Sequence, residues 1–201
     1  MSILTASPSP RWLQAGFKRF TVREYHRLIE LGLLTEDDNL ELLEGYLVHK
    51  MARNPPHDST LFRLSKILFR IAPAIWQVRV QMATTLPESE PEPDVAVVRG
   101  DDSAFDLRHP GPADFGIVIE VSDSTLDTDR IDKARIYASA SLPEYWIVNI
   151  VDRQVEVHLQ PSGPSALPTY GSRQAFRPGQ SVAFSLDGQW VADVPVSDLL
   201  P

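Results

Sequence analysis

The run EPEPDVAVV at residues 90–98, followed by DFGIVIEVSDST at 114–125 and DRIDKARIYA at 129–138, decides how this chain reads. The first two runs hold strand-length apolar stretches, and each carries one acid. Asp94 opens Val95-Ala96-Val97-Val98, and Glu120 stands between Ile119 and Val121. A carboxylate in a buried strand gives up several kcal/mol of hydration unless a partner, often a metal ion, compensates it. The third run reads as a helix starting at Asp127 or Thr128 and reaching about Ala140, which brings Lys133 close behind the acids. Two acids from neighbouring strands and one ammonium predict a divalent-metal site for phosphodiester chemistry.

Working outward, Thr21-Val22-Arg23-Glu24 has capping-box spacing, and Val22, Tyr25, Leu28 and Ile29 form an apolar stripe ending near Gly32. Leu40–Leu43 and Tyr46–Val48 flank Glu44-Gly45 and predict a hairpin. Residues 58–72 take helical spacing, with Leu61, Leu64, Leu68 and Ile71 on one side and Arg63, Lys66 and Arg70 on another. Such a basic stripe reads first as a solvated face, with phosphate contact as the rival. Residues 75–86 alternate and predict a two-faced strand; 94–98 and 115–121 are two more strands, separated by an acidic loop. Residues 144–150 and 154–159 pair around Val151-Asp152-Arg153, and 161–168 form a loop. Val182, Phe184 and Leu186 before Asp187-Gly188 predict a last hairpin, followed by a short docking tail at 196–200. Residues 1–16, with Pro8 and Pro10, read as a flexible arm, and 17–201 as one domain: an α/β core around a mixed sheet flanked by helices.

The 201 residues suffice for a sizeable core, and 43% hydrophobic with 23% charged residues is ordinary for a globular chain. The lack of Cys excludes disulfides and thiolate zinc sites. No apolar run has bilayer-spanning length, and the N-terminus lacks the hydrophobic core of a secretory signal, so a cytoplasmic protein is expected. The net charge of −8 hides an asymmetry. Residues 1–80 hold 11 Lys/Arg against 8 Asp/Glu (+3), and residues 81–201 hold 8 against 19 (−11). The acidic excess falls on the proposed site, where bound cations would offset part of it.

Hard cations such as Mg²⁺ and Mn²⁺ prefer oxygen ligands, and two or three carboxylates suffice when phosphate supplies the rest. Asp94 and Glu120 are the natural pair, Glu41 between Leu40 and Leu42 is a third candidate, and Lys133 would stabilise charge in the transition state. Plainer readings stand beside these. Asp94 could be a solvated strand-opening residue, Glu120 a buried acid satisfied by Arg or backbone donors, and Lys133 the partner of Asp129 across one helical turn. Asp129 reads as a supporting or helix-start charge and Tyr137 as a packing residue. Gln81 reads as facing the site or as an edge polar group, and His57 as a helix cap or a phosphate contact.

Pro93-Asp94, Glu120 in its apolar strand, Asp129-x-x-x-Lys133-x-x-x-Tyr137 and Pro143-Glu144-Tyr145-Trp146-Ile147-Val148 stand in a telling order. Together with Glu41-Leu42-Leu43-Glu44-Gly45, His57 and Glu92, this set resembles the Uma-type putative restriction endonucleases of the PD-(D/E)XK nuclease superfamily. The likeness covers most of residues 20–160. It implies a restriction-endonuclease-like core, a mixed four-stranded sheet flanked by helices, with an Mg²⁺- or Mn²⁺-dependent endonuclease site acting on DNA and a homodimer. It also implies Asp94 and Glu120 as metal ligands, Glu41 as an additional acid and Lys133 as the catalytic lysine. The wider superfamily usually places its lysine two residues after the acid on the same strand. Here that position is Ser122, and the Uma-type pattern puts the lysine on the following helix, at Lys133. The acidic total and the displaced lysine keep a second reading open, a dimeric module that retains the fold and works by binding.

Overall fold

The computed structural model describes residues 16–201, so the expected arm over residues 1–16 lies, apart from Gly16, outside the described residues. Local signals set the first elements. Helix α1 (Val22–Glu30) starts at Thr21, whose hydroxyl accepts from the Glu24 N–H while the Glu24 carboxylate accepts from the Thr21 N–H. Strands β1 (Leu40–Leu43) and β2 (Tyr46–His49) pair antiparallel about Glu44 and Gly45, whose φ values of 47° and 83° suit a tight two-residue turn. Helix α2 (Pro55–Ile71) begins before the expected residue 58. Asn54 caps it by accepting from the His57 N–H, and prolines are tolerated in a first turn whose N–H groups have no helical partner.

Strand β3 (Trp76–Val80) stops short of the expected residue 86, because Gln81 turns into the left-handed region at φ 53°. Strands β4 (Val95–Arg99) and β5 (Phe115–Ser122) follow it antiparallel. The chain then crosses over through α3 (Leu126–Thr128), a π-helical turn (Asp129–Lys133) and α4 (Ala134–Ser139). That crossover allows β6 (Glu144–Asn149) to lie parallel to β5. Strands β7 (Gln154–Pro161) and β8 (Tyr170–Phe176) extend the sheet antiparallel, giving the order β3-β4-β5-β6-β7-β8. The sheet is mixed as expected, but it has six strands rather than four. The extra pair is added at the β6 edge, and β8 (YGSRQAF) shows no apolar alternation because it is an exposed edge strand.

Alternation sorts the core onto two faces. One face gathers Val95, Val97, Ile117, Ile119, Val121, Trp146 and Val148. It is covered by Leu61, Leu64 and Leu68 of α2 and by a C-terminal hairpin, β9 (Ser181–Leu186) with β10 (Gln189–Pro195), followed by α5 (Val196–Leu199). The other face gathers Ala96, Val98, Val118, Tyr145 and Ile147 beneath Ala134, Ile136 and Tyr137. Glu120 alternates with Val118 and Ser122 along β5, and so belongs to this second face.

Candidate active site

Register places the two strand acids together. Val95 pairs with Ile119, so Asp94 and Glu120 stand one step further along on the same face. Their backbones and side chains interlock: the Asp94 N–H donates to Glu120 Oε2 at 3.2 Å, and the Val121 N–H donates to Asp94 Oδ2 at 2.9 Å. Each carboxylate therefore accepts an N–H from the opposite strand.

The crossover supplies the cation. Asp129 and Lys133 of the π-helical turn are both buried. Lys133 Nζ lies 3.1 Å from Glu120 Oε1 and 3.5 Å from Glu41 Oε2, so its long stem reaches the strand acids from the helix. Asp129 is not the partner of Lys133. It accepts from the hydroxyls of Ser122 at 2.6 Å and Thr125 at 2.7 Å. Glu41, from β1, also accepts the Glu92 N–H at 3.1 Å. His57 Nε2 stands 3.1 Å from Asp94 Oδ2, reaching the site from the first turn of α2 rather than capping it. Gln81 donates to Asp94 Oδ1 at 3.3 Å and accepts from Arg53 at 2.6 Å. Glu41, His57, Asp94, Glu120, Asp129 and Lys133 line one cleft of about 180 Å³, and Gln81 supports it from behind Asp94.

Sequence reasoning missed Tyr137, read as packing. Its ring is fully buried, but its hydroxyl donates to Glu120 Oε1 at 2.6 Å. The usable signal was spacing: Asp129, Lys133 and Tyr137 recur every four residues and so share one side of the crossover.

Burial pushes the Glu120 carboxyl up to about 8; the Lys133 ammonium opposes this, while the Asp94 and Asp129 charges add to it. Burial would lower the Lys133 ammonium, but Glu120, Glu41 and Asp129 outweigh it and raise it, so the cation stays charged. The two directions agree. One ammonium shared among several acids keeps its proton, and Glu120, which it contacts, shifts toward its neutral form. Burial also raises Asp129, against its two hydroxyl donors. At Asp94 burial acts upward, but the bond and charge of His57, with Val121 N–H and Gln81, hold the carboxyl below its usual value. His57 is raised in turn: burial lowers it and Asp94 outweighs burial.

A hard divalent cation is commonly held by one or two carboxylates, with water and substrate phosphate completing its shell. Asp94 and Glu120 suit that mode. Six acids line the cleft (Glu41, Glu92, Asp94, Glu120, Asp123 and Asp129) against three basic side chains, Lys50, Arg53 and Lys133, so the acids outnumber the cations. Among the described residues, no group of three or more His, Asp or Glu side chains converges as a ready-made cage. The donor chemistry therefore fits an ion shared with substrate, and Glu41 is held by Lys133 and Glu92 rather than gathered with the other two.

A mixed α/β sheet flanked by helices, with buried strand acids beside a helix lysine, defines a nuclease-like fold. The chain belongs to the Uma2 family, described as "putative restriction endonuclease", whose model matches residues 22–194. A solved structure, that of a putative nuclease belonging to DUF820 from Anabaena variabilis ATCC 29413, is similar at a TM-score of 0.66 and 14% identity. The match covers 90% of this chain and 97% of that one, and it supports the fold. No curated protein matches.

Proposed function

We propose that this chain is an Mg²⁺- or Mn²⁺-dependent endonuclease that hydrolyses phosphodiester bonds of DNA, working in the cytoplasm as a homodimer. One observation carries the reading: Asp94 and Glu120 lie on the same face of adjacent strands with the Lys133 ammonium on Glu120. Asp94 and Glu120 would hold the cation, which supplies Lewis-acid polarisation of the phosphoryl group. His57 and Gln81 fix the orientation of Asp94, and Tyr137 fixes that of Glu120. Lys133, permanently charged, offsets negative charge as it grows on the phosphoryl oxygens.

The test is plasmid nicking. We expect cleavage with Mg²⁺ or Mn²⁺, none in EDTA, and loss of at least a hundredfold in rate for Asp94→Ala and Lys133→Ala. Cleavage by Asp94→Ala at the parent's rate under all metal conditions overturns the assignment. The contact of Lys133 with both Glu120 and Glu41 favours a second reading, in which the ammonium alone balances the acids and the fold serves binding. Calorimetric titration with Mn²⁺ separates the two, because a non-catalytic module of that kind takes up no metal.

A further inference from the structure

Helix α2 has two unlike faces. Leu61, Leu64 and Leu68 are buried, whereas Phe62 and Phe69 stand 69% and 62% exposed. At 3.6 residues per turn, Phe62, Lys66 and Phe69 fall in one outward stripe with Arg70 beside it and the exposed Asp58, which faces His57 at 3.5 Å, at its cleft end. Neither Lys66 nor Arg70 has an acid partner among the described residues, and Asp58, in the first turn, is the helix's only acid. Arg63, the third base of the helix, is already engaged with the Leu200 carbonyl at 2.5 Å. Two exposed rings with two uncompensated cations between and beside them suit a partner with negative charges and flat apolar surfaces. A nucleic-acid strand with unpaired bases is such a partner: its phosphates meet the cations and its bases stack on the rings. A second copy of the chain fits this face less well. Two-fold pairing centred on the stripe would set Lys66, midway between the rings, against its own copy.

Position adds a second argument. The N-terminal end of α2 is part of the cleft, since Asn54 and His57 line it and His57 touches Asp94. The helix runs about 25 Å away from that point.

We propose that the outer face of α2 is a binding track for a single-stranded stretch of nucleic acid leading into the cleft. This deepens the nuclease reading on which it rests, by naming as substrate a strand whose bases are accessible. The test is fluorescence anisotropy of the full chain in EDTA, with a labelled single-stranded oligonucleotide and with its duplex. The double variant Phe62→Ala/Phe69→Ala should lose about tenfold or more in single-strand affinity and under twofold for duplex. Lys66→Ala/Arg70→Ala should weaken both and reduce the salt slope by about 1.5. All four side chains are solvent-facing, and circular dichroism checks that folding is retained. A parent that nicks DNA with Mn²⁺ but whose variants bind within twofold of it overturns the track and leaves the nuclease reading standing. A parent that neither binds nor cleaves overturns both. Unchanged affinity with a drop in molar mass by light scattering for the phenylalanine variant assigns the face to a second copy and also overturns the proposal.

Discussion

Glu120 is more buried than Asp94 or Glu41, and its surroundings make a specific demand on pH. Its carboxyl rests near 8 in the folded chain, against an ordinary value of 4.5. Between those values the folded state holds a proton that the unfolded chain has released, so stability falls as pH rises through that window. Below about 4.5 both states are protonated and the cost vanishes. In EDTA, the parent's melting temperature should therefore fall from pH 5 to 8 more steeply than that of Glu120→Gln. His57 adds a slope of the same sign, since its raised value contributes stability that is lost at higher pH, but it does so in both proteins. Parallel curves would mean that Glu120 is ionised throughout and that burial does not hold a proton on it. Asp94 and Glu120 were legible in the sequence because an acid inside an apolar strand is out of place there. Tyr137 was not, since a phenol on an apolar helix stripe looks like packing until its hydroxyl finds a partner.

Among the elements, the crossover between β5 and β6 decides whether Lys133 reaches the acids. Its π-helical turn sets Asp129 and Lys133 inward and leaves Arg130 to face β7. There Arg130 forks onto both oxygens of Glu156, with Nε 3.2 Å from each, and also bonds Asp152 at 3.1 Å. Glu156 is fully buried and keeps Arg173 at 2.7 Å and Asn149 at 3.0 Å. Arg130→Ala should cost about 3 kcal/mol, the lower end for breaking a buried pair because Arg173 remains. It should also slow nicking by letting the turn that carries Lys133 relax. A urea melt shifted by under about 1 kcal/mol, with nicking unchanged, would show that the clamp does not seat the turn. The helix itself was legible from its spacing over residues 127–140. The π turn was not, because widening one turn leaves no mark in composition. β8 escaped for a related reason: an exposed edge strand is held by backbone pairing with β7, and its side chains need no apolar pattern.

For the molecule as a whole, the sheet separates stability from chemistry by face. Glu120 and Lys133 lie on the side of α4, and the first turn of α2 reaches the same cleft through His57, while the larger apolar cluster lies on the side closed by the rest of α2 with β9, β10 and α5. The closure depends on a close approach at Gly116 in β5, where a Cβ would stand 2.6 Å from Leu186 Cδ2 and 2.7 Å from Trp76 Cζ3. Both neighbours are buried core groups, so neither can swing aside without opening the packing. Gly116→Ala should then cost about 1–3 kcal/mol, or roughly 2–12 °C in melting temperature for a chain of this length. Because the strain falls on the far face, Mn²⁺ affinity should stay within twofold of the parent well below the melting point. Lys133→Ala should do the reverse, altering metal binding and cleavage more than the closure of the other face. Calorimetric melts and Mn²⁺ titrations on the two variants test this division. If Gly116→Ala weakens Mn²⁺ binding as much as it lowers the melting temperature, the two faces are coupled through β5 and cannot be treated as separate layers.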